Sequence, residues 1–464
     1  MTVNFMDDFS GQASVPPDDA GEPHIGRAEG ITAAARMYIA DLQRDNPDSM
    51  LSMAERATFV LESFLDALAL LCPERETGPD RAHWSAAARL SMREVADALR
   101  EIERAAPGSI PVVLLARAGA EAARWDLVDR HAPDAELWSW LGELFAAEYG
   151  DETSRVTGVA GTVGREYLRA IAYHAAALDQ QTLKAGFAIA RLVELSLPYL
   201  FLTCEHTETA LYGVDAAKSG IPVRLARPDS FEGWYFVTVP AADMLSDIHG
   251  ELTHGHRPPG LEKTDLAELR IAVTHLRRQW SARPPTRRFR RYSFNAHLSV
   301  VGGYDDVMSL LGEGSPEGVA LGTGGWRITD LSRGGVGATT SRSTDGGVPA
   351  AGDLVAFCPE EGTQWHIGVV RRVRLSKSGI EIGIATLSVR PDLARVDDGR
   401  AAHELFVCEP VRRGEAIRLV GPVGSLEEDD PLFVMAKGSV VCKLRPLADA
   451  LRGKSFDLRV YQAM

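Results

Sequence analysis

Two short arrangements in the second half of the chain gather guanidinium, carboxylate and hydroxyl groups with glycines, a set suited to an anionic, hydrogen-bonding ligand. The first is Arg287-Arg288-Phe289-Arg290-Arg291, in which Arg287 and Arg291 stand four apart as R-x-x-x-R. The second is Asp330-Leu331-Ser332-Arg333-Gly334-Gly335, in which Asp330, Ser332 and Gly335 form D-x-S-x-x-G. Guanidinium groups fork onto phosphate oxygens and onto guanine O6 and N7. A carboxylate at Asp330 can accept from guanine N–H groups, and the Ser332 hydroxyl can add a contact. Gly335, with Gly334, is expected to let the backbone approach a flat ring and to take positive φ. Arg288, Arg290 and Arg333 are supporting candidates.

These side chains need a scaffold, and from Arg287 onward the pattern is that of strands. Tyr292, Phe294, Ala296, Leu298 and Val300 alternate with polar residues at period two. Further strands are expected at 326–330, 335–340, 353–358, 365–373 and 380–387, and a final set lies within 403–464. Short strands separated by Gly-rich turns predict a small closed barrel.

The two motifs in this order, followed by Gly352-Asp353-Leu354-Val355-Ala356-Phe357, Trp365-His366-Ile367-Gly368-Val369-Val370 and Ile382-Gly383-Ile384, resemble the PilZ family of cyclic di-GMP receptors. The resemblance covers about residues 287–390. It departs from the family in the 38 residues that separate Arg291 from Asp330, where 305–311 reads as an inserted helical turn. It implies a six-stranded barrel that binds cyclic di-GMP through Arg287, Arg288, Arg291, Asp330, Ser332 and Gly335. It also implies that binding folds the arginine segment onto the barrel and changes its orientation to a neighbouring domain.

Upstream the text is helical, with apolar residues at i, i+3, i+4 and helices expected near 30–45, 52–71, 82–105, 110–126, 135–149 and 165–203. Ser52 and Glu55 form a candidate capping box. Val223–Arg227 and Trp234–Val239 read as a hairpin, then a loop-rich stretch leads to a helix over 265–280 stopped by Pro284-Pro285. The expected organisation is multidomain α+β: a disordered acidic tail (1–28), an all-helical N-terminal module (29–220), a hairpin, loop and linker helix (221–286), a PilZ-like small antiparallel β-barrel (287–395) and a C-terminal β extension (396–464).

Composition narrows the function classes. A net charge of −14 argues against coating nucleic acid, although residues 277–291 hold seven arginines and no acid. Five scattered cysteines without a C-x-x-C pair suit a reducing compartment. The longest apolar stretch, 192–204, contains Glu194 and Pro198 and falls short of the roughly twenty residues a bilayer span needs. A cytoplasmic protein is expected, with no membrane span and a protein partner at the helical module. No paired acid/base system, nucleophile elbow or dinucleotide fingerprint is present, so an enzyme is not expected, and no cofactor is expected beyond the ligand. Two alternatives stay open. One is a protein–protein scaffold that binds no nucleotide. The other is a metal-dependent enzyme using Asp247, His249, Glu251, His254 and His256, whose imidazoles and carboxylates crowd one Gly/Pro-rich, loop-like segment.

Overall fold

The computed structural model describes residues 24–464 other than 45–50, 73–78, 150–152, 182, 211, 219, 226–230, 263, 282–288, 313–325, 342–350, 361, 377–378, 427–430, 437–438 and 454. The expected tail lies outside the described residues up to position 23, and the first helix begins within its expected range. The chain divides into two compact units, Met1–Asp129 with Pro133–Pro284, and Arg130–Ala132 with Pro285–Met464. No helix among the described residues is long and apolar enough to cross a membrane.

In the first unit, α1 (His24–Gln43), α2 (Met53–Leu70), α3 (Pro79–Ala105), α4 (Val112–Val128) and α5 (Ala135–Glu148) follow the apolar spacing. Ser52 and Glu55 do form a capping box at the start of α2. The stretch expected as one helix over 165–203 is broken. After β1 (Arg155–Thr157) come α6 (Val163–Ala175), a 3-10 turn, α7 (Leu183–Ser196), a second 3-10 turn and β2 (Phe201–Thr203). Ala177 turns into the left-handed region at φ 50°, which ends α6, and Pro198 supplies no amide with which to continue α7.

The unit is therefore not all-helical. It holds a five-stranded sheet in the order β1-β2-β5-β3-β4, completed by β3 (Tyr212–Val214), β4 (Val223–Arg224) and β5 (Trp234–Val237). The expected hairpin is also corrected, because β3 lies between β4 and β5 and pairs with both. Strands of two to four residues are too short to print a period-two pattern. Helices α8 (Val239–Thr253) and α9 (Leu266–Gln279) complete the unit, so residues 221–284 belong with the helices and do not form a segment of their own. Trp84, Trp125, Trp138, Trp280, Tyr167 and Tyr173 are fully buried in its core.

A charged network crosses this core. Arg169 on α6 ion-pairs with Glu166 one turn before it and with Glu194 of α7, its Nη2 lying 2.9 Å from Glu194 Oε2. Arg124 Nε and Glu121 Oε2 pair at 2.8 Å on α4. Burial pushes the Glu166 carboxyl from its ordinary 4.5 up to about 7, against the pull of Arg169 and Arg117. A carboxyl raised in the folded state favours folding while it holds its proton, and that advantage is lost as pH rises from about 4.5 to 7. Glu166→Gln removes this dependence. The stability of wild type relative to Glu166→Gln is expected to fall by about 2–3 kcal/mol between pH 4.5 and 7.5. Denaturant unfolding of the full chain, followed by helical circular dichroism at both pH values, measures it. Parallel pH profiles for the two proteins would refute it.

The second unit opens with β6 (Tyr292–Ser293), β7 (His297–Gly302), α10 (Tyr304–Leu311), β8 (Trp326–Ser332), β9 (Gly335–Thr340), β10 (Leu354–Pro359), β11 (His366–Ser376) and β12 (Gly379–Ser388). Antiparallel pairings run β7-β8-β9-β12-β11-β10 and return to β7, closing a six-stranded ring, with β6 added outside on β8. Trp326, Ile328, Val336, Phe357, Ile382 and Ile384 are among the side chains that fill it. The expected helical turn is α10.

The C-terminal extension is itself a closed barrel, of β13 (Asp392–Asp397), β14 (Ala402–Val407), β15 (Ala416–Pro422), β16 (Leu432–Ala436), β17 (Ser439–Arg452) and β18 (Phe456–Ala463). Its ring runs β13-β14-β15-β18-β17-β16. Numbered by order of appearance, both barrels follow 1-2-3-6-5-4, so the second repeats the connectivity of the first. It begins at β13, inside the range expected for the first barrel.

One apolar cluster joins them. Leu354 and Ala356 of β10 and Ile367 and Val369 of β11 pack with Tyr304 and Val307 of α10 and with Phe406, Val420, Phe456 and Leu458 of the second barrel. Strand β10 is thus buried on both faces, with Val355 and Phe357 feeding the first barrel's interior. This explains the unbroken apolar run Leu354–Cys358 where a barrel strand with one wet face would alternate. The Tyr304 hydroxyl donates to the Glu404 carbonyl at 3.1 Å, and Ser388 Oγ to the Cys408 carbonyl at 2.9 Å.

Candidate functional site

Strand β8 places the D-x-S-x-x-G residues. Trp326 and Ile328 point into the barrel, and a register shift between Ile328 and Asp330 precedes the last turn of the ladder. Arg333-Gly334 then make a two-residue connection to β9, with Ser332 paired to Gly335. Neither glycine takes positive φ, contrary to expectation. Gly335 is required for another reason: a Cβ there would lie 2.2 Å from the Ile384 carbonyl oxygen of β12, so the barrel wall could not close on a larger residue. Ser332 Oγ donates to the Gly335 carbonyl at 3.1 Å and so ties the hairpin to itself.

Asp330 meets the arginine segment. Arg291 Nη1 donates to Asp330 Oδ1 at 2.6 Å, and the two side chains keep 26% and 29% of their surface, shielded yet still reachable by a ligand. A guanidinium has five donors and this contact uses one. The carboxylate lies over Gly337, its register partner on β9, where a Cβ would come within 2.5 Å of Asp330 Oδ2. Ser293 of β6 pairs with Asp330 and Tyr292 with Leu331, so the residues following Arg291 are laid along β8.

Aromatic rings interleave with the arginines. The Arg290 guanidinium stands 5.4 Å from the Tyr292 ring centre, and that of Arg333 stands 5.8 Å from Phe289. Tyr292 and Phe294 are exposed. A shallow groove of about 340 Å³ is lined by Ser293 of β6, by Phe294 and Asn295 just after it, and by Arg327, Ile328 and Thr329 of β8. Together the residues offer guanidinium donors, one carboxylate acceptor and exposed ring faces, the groups that hold phosphates, a base edge and a base plane respectively.

The sequence-predicted residues Arg291, Asp330, Ser332 and Gly335 thus gather at one end of β8, while Arg287 and Arg288 lie outside the described residues. Sequence reasoning missed Phe289, Gly337 and the exposed Tyr292 and Phe294. The pattern Gly335-Val336-Gly337 inside a strand was the available signal for Gly337, since strand glycines mark close approaches.

The histidine cluster does not assemble. Asp247, His249 and Glu251 lie on α8, which extends to Thr253, so the expected surface loop is confined to the residues from His254 on. His254 caps it with Nδ1 2.8 Å from the Gly250 carbonyl. Among the described residues no group of three or more His, Cys, Asp or Glu is arranged to hold a metal ion. No family model matches the chain, and no curated protein matches it.

Proposed function

We propose that this protein is a cyclic di-GMP receptor, with the first barrel a PilZ-like nucleotide sensor and the helical module its partner-binding part. One observation carries the reading: Arg291 and Asp330, far apart in sequence, meet at 2.6 Å beside the β8–β9 turn of a closed six-stranded barrel. Arg291, joined by Arg287 and Arg288, takes the phosphates and the O6/N7 edge of a guanine. Asp330 accepts from guanine N–H groups, and the exposed rings of Tyr292 and Phe294 give the bases a surface to stack on. Binding then alters the affinity of the helical module for its partner, by no more than the ligand's differential affinity for the two states.

Calorimetric titration of the full chain with cyclic di-GMP, with GTP as control, tests the reading. Micromolar or tighter binding selective for the cyclic dinucleotide is expected. At a ligand concentration about 100 times Kd the protein should gain about 2.7 kcal/mol of stability. A folded protein that neither binds nor gains stability would overturn the receptor and favour a scaffold that ignores nucleotides.

A further inference from the structure

The spacer residues of the two motifs touch each other. Phe289 is the central residue of R-x-x-x-R, and Gly334 is the last spacer of D-x-S-x-x-G. A Cβ on Gly334 would lie 2.6 Å from Phe289 Cδ2 and 3.0 Å from Cε2, so the ring rests directly on the bare backbone of the hairpin. Nothing larger than glycine fits beneath it in this pose. The guanidinium of Arg333, the other turn residue, is 5.8 Å from the centre of the same ring. Two residues on, Arg291 is fixed to Asp330, and then Tyr292 and Ser293 enter the ladder of β8. A ring contact, an ion pair and a strand pairing therefore succeed one another within five residues.

We infer that Phe289 is a positioning residue: seated on Gly334, it docks the arginine segment against the β8–β9 hairpin before ligand arrives and holds Arg291 at Asp330. This rests on the receptor reading for its consequence on binding, though not for the docking itself. It runs against one expectation drawn from the family resemblance, that ligand binding folds this segment onto the barrel, and the digestion below decides between the two. On this inference the contacts within the chain, not the ligand, supply the ordering of the residues from Phe289 onward. Arg333, exposed and over the same ring, is then held where it can meet an anionic ligand.

The experiment uses the full chain and three variants, Phe289→Ala, Gly334→Ala and Phe289→Tyr, each first checked for unchanged circular dichroism. Limited trypsin digestion without nucleotide, read by mass spectrometry as cleavage after Arg290 and Arg291, reports docking. Slow cleavage is expected in wild type and Phe289→Tyr, with at least tenfold faster cleavage in Phe289→Ala and Gly334→Ala. Cyclic di-GMP affinity should fall about tenfold in the two faster variants and stay at the wild-type value in Phe289→Tyr. Moreover, ligand should slow cleavage strongly in Phe289→Ala and little in wild type. Wild type cleaved as fast as Phe289→Ala would overturn the inference whether or not nucleotide binds. Absence of nucleotide binding by wild type, with the cleavage pattern as expected, would sink the receptor reading and leave the docking intact.

Discussion

Replacing Arg291 by alanine is expected to weaken cyclic di-GMP binding about 100-fold, close to 2.8 kcal/mol, and replacing Asp330 by alanine to do about the same. The two losses should not add. Asp330 has two roles in the proposed site, as the acceptor that aims Arg291 and as an acceptor for guanine N–H groups. Its alanine variant removes both, while Arg291→Ala already cancels the first. The double variant should therefore lose about 1,000-fold, leaving about tenfold, or 1.4 kcal/mol, as coupling between the pair. Asp330→Asn separates the roles further. It keeps an acceptor oxygen and gives up the charge that holds Arg291, so it should fall between wild type and Asp330→Ala. Calorimetric titration of the four proteins of the cycle measures these values. Full additivity would mean that Arg291 and Asp330 act on the ligand independently. Unchanged affinity in both single variants, in folded protein, would remove this end of β8 from the site.

What the sequence made legible follows the range of the interactions involved. Helices α1 to α5 and α9 could be read because their apolar faces repeat locally, and Ser52 with Glu55 announced one helix start. Although β13 went unread and β6 and β7 were read as one strand, most strands of the two barrels could be read individually. Their order could not, since pairings such as β9 with β12 join residues with no local signature, and the repeated 1-2-3-6-5-4 connectivity exists only in those pairings. In the five-stranded sheet of the first unit β4 and β5 were read as strands, while β1, β2 and β3, of three residues each, are too short to print a period-two alternation. At the candidate site the chemistry-bearing residues were legible as types, and their neighbours were not. Gly335 was read as a ligand-facing glycine, whereas its missing side chain makes room for the Ile384 carbonyl. Phe289 stood between arginines with nothing to mark it as an anchor, because the glycine it rests on is 45 residues away.

Phe406→Ala is expected to destabilise both barrels, by about 3–5 kcal/mol. Phe406 is fully buried, and its ring lies 5.8 Å from that of Tyr304 in an edge-on arrangement. It belongs to the second barrel by sequence, but its side chain packs in the cluster built from α10, β10 and β11 of the first. Its neighbours Leu405 and Val407 point the other way, into the second barrel's own interior. Truncating Phe406 therefore leaves a cavity in a core that both barrels share, and neither interior can collapse to fill it without pulling β10 or β14 out of its ring. Hydrogen exchange of the full chain should show the slowest amides of β7–β12 and of β13–β18 losing protection by the same amount. Leu419→Ala, inside the second barrel, should give the same joint response if the two unfold as one. Faster exchange confined to β13–β18 in both variants would mean that the barrels are separately stable. In that case the contacts of Tyr304 with Phe406 and Glu404 hold two independent domains together, and a ligand at β8 could shift one barrel against the other. Joint loss instead makes the double barrel one cooperative body, within which ligand binding at Arg291 and Asp330 has no hinge to move.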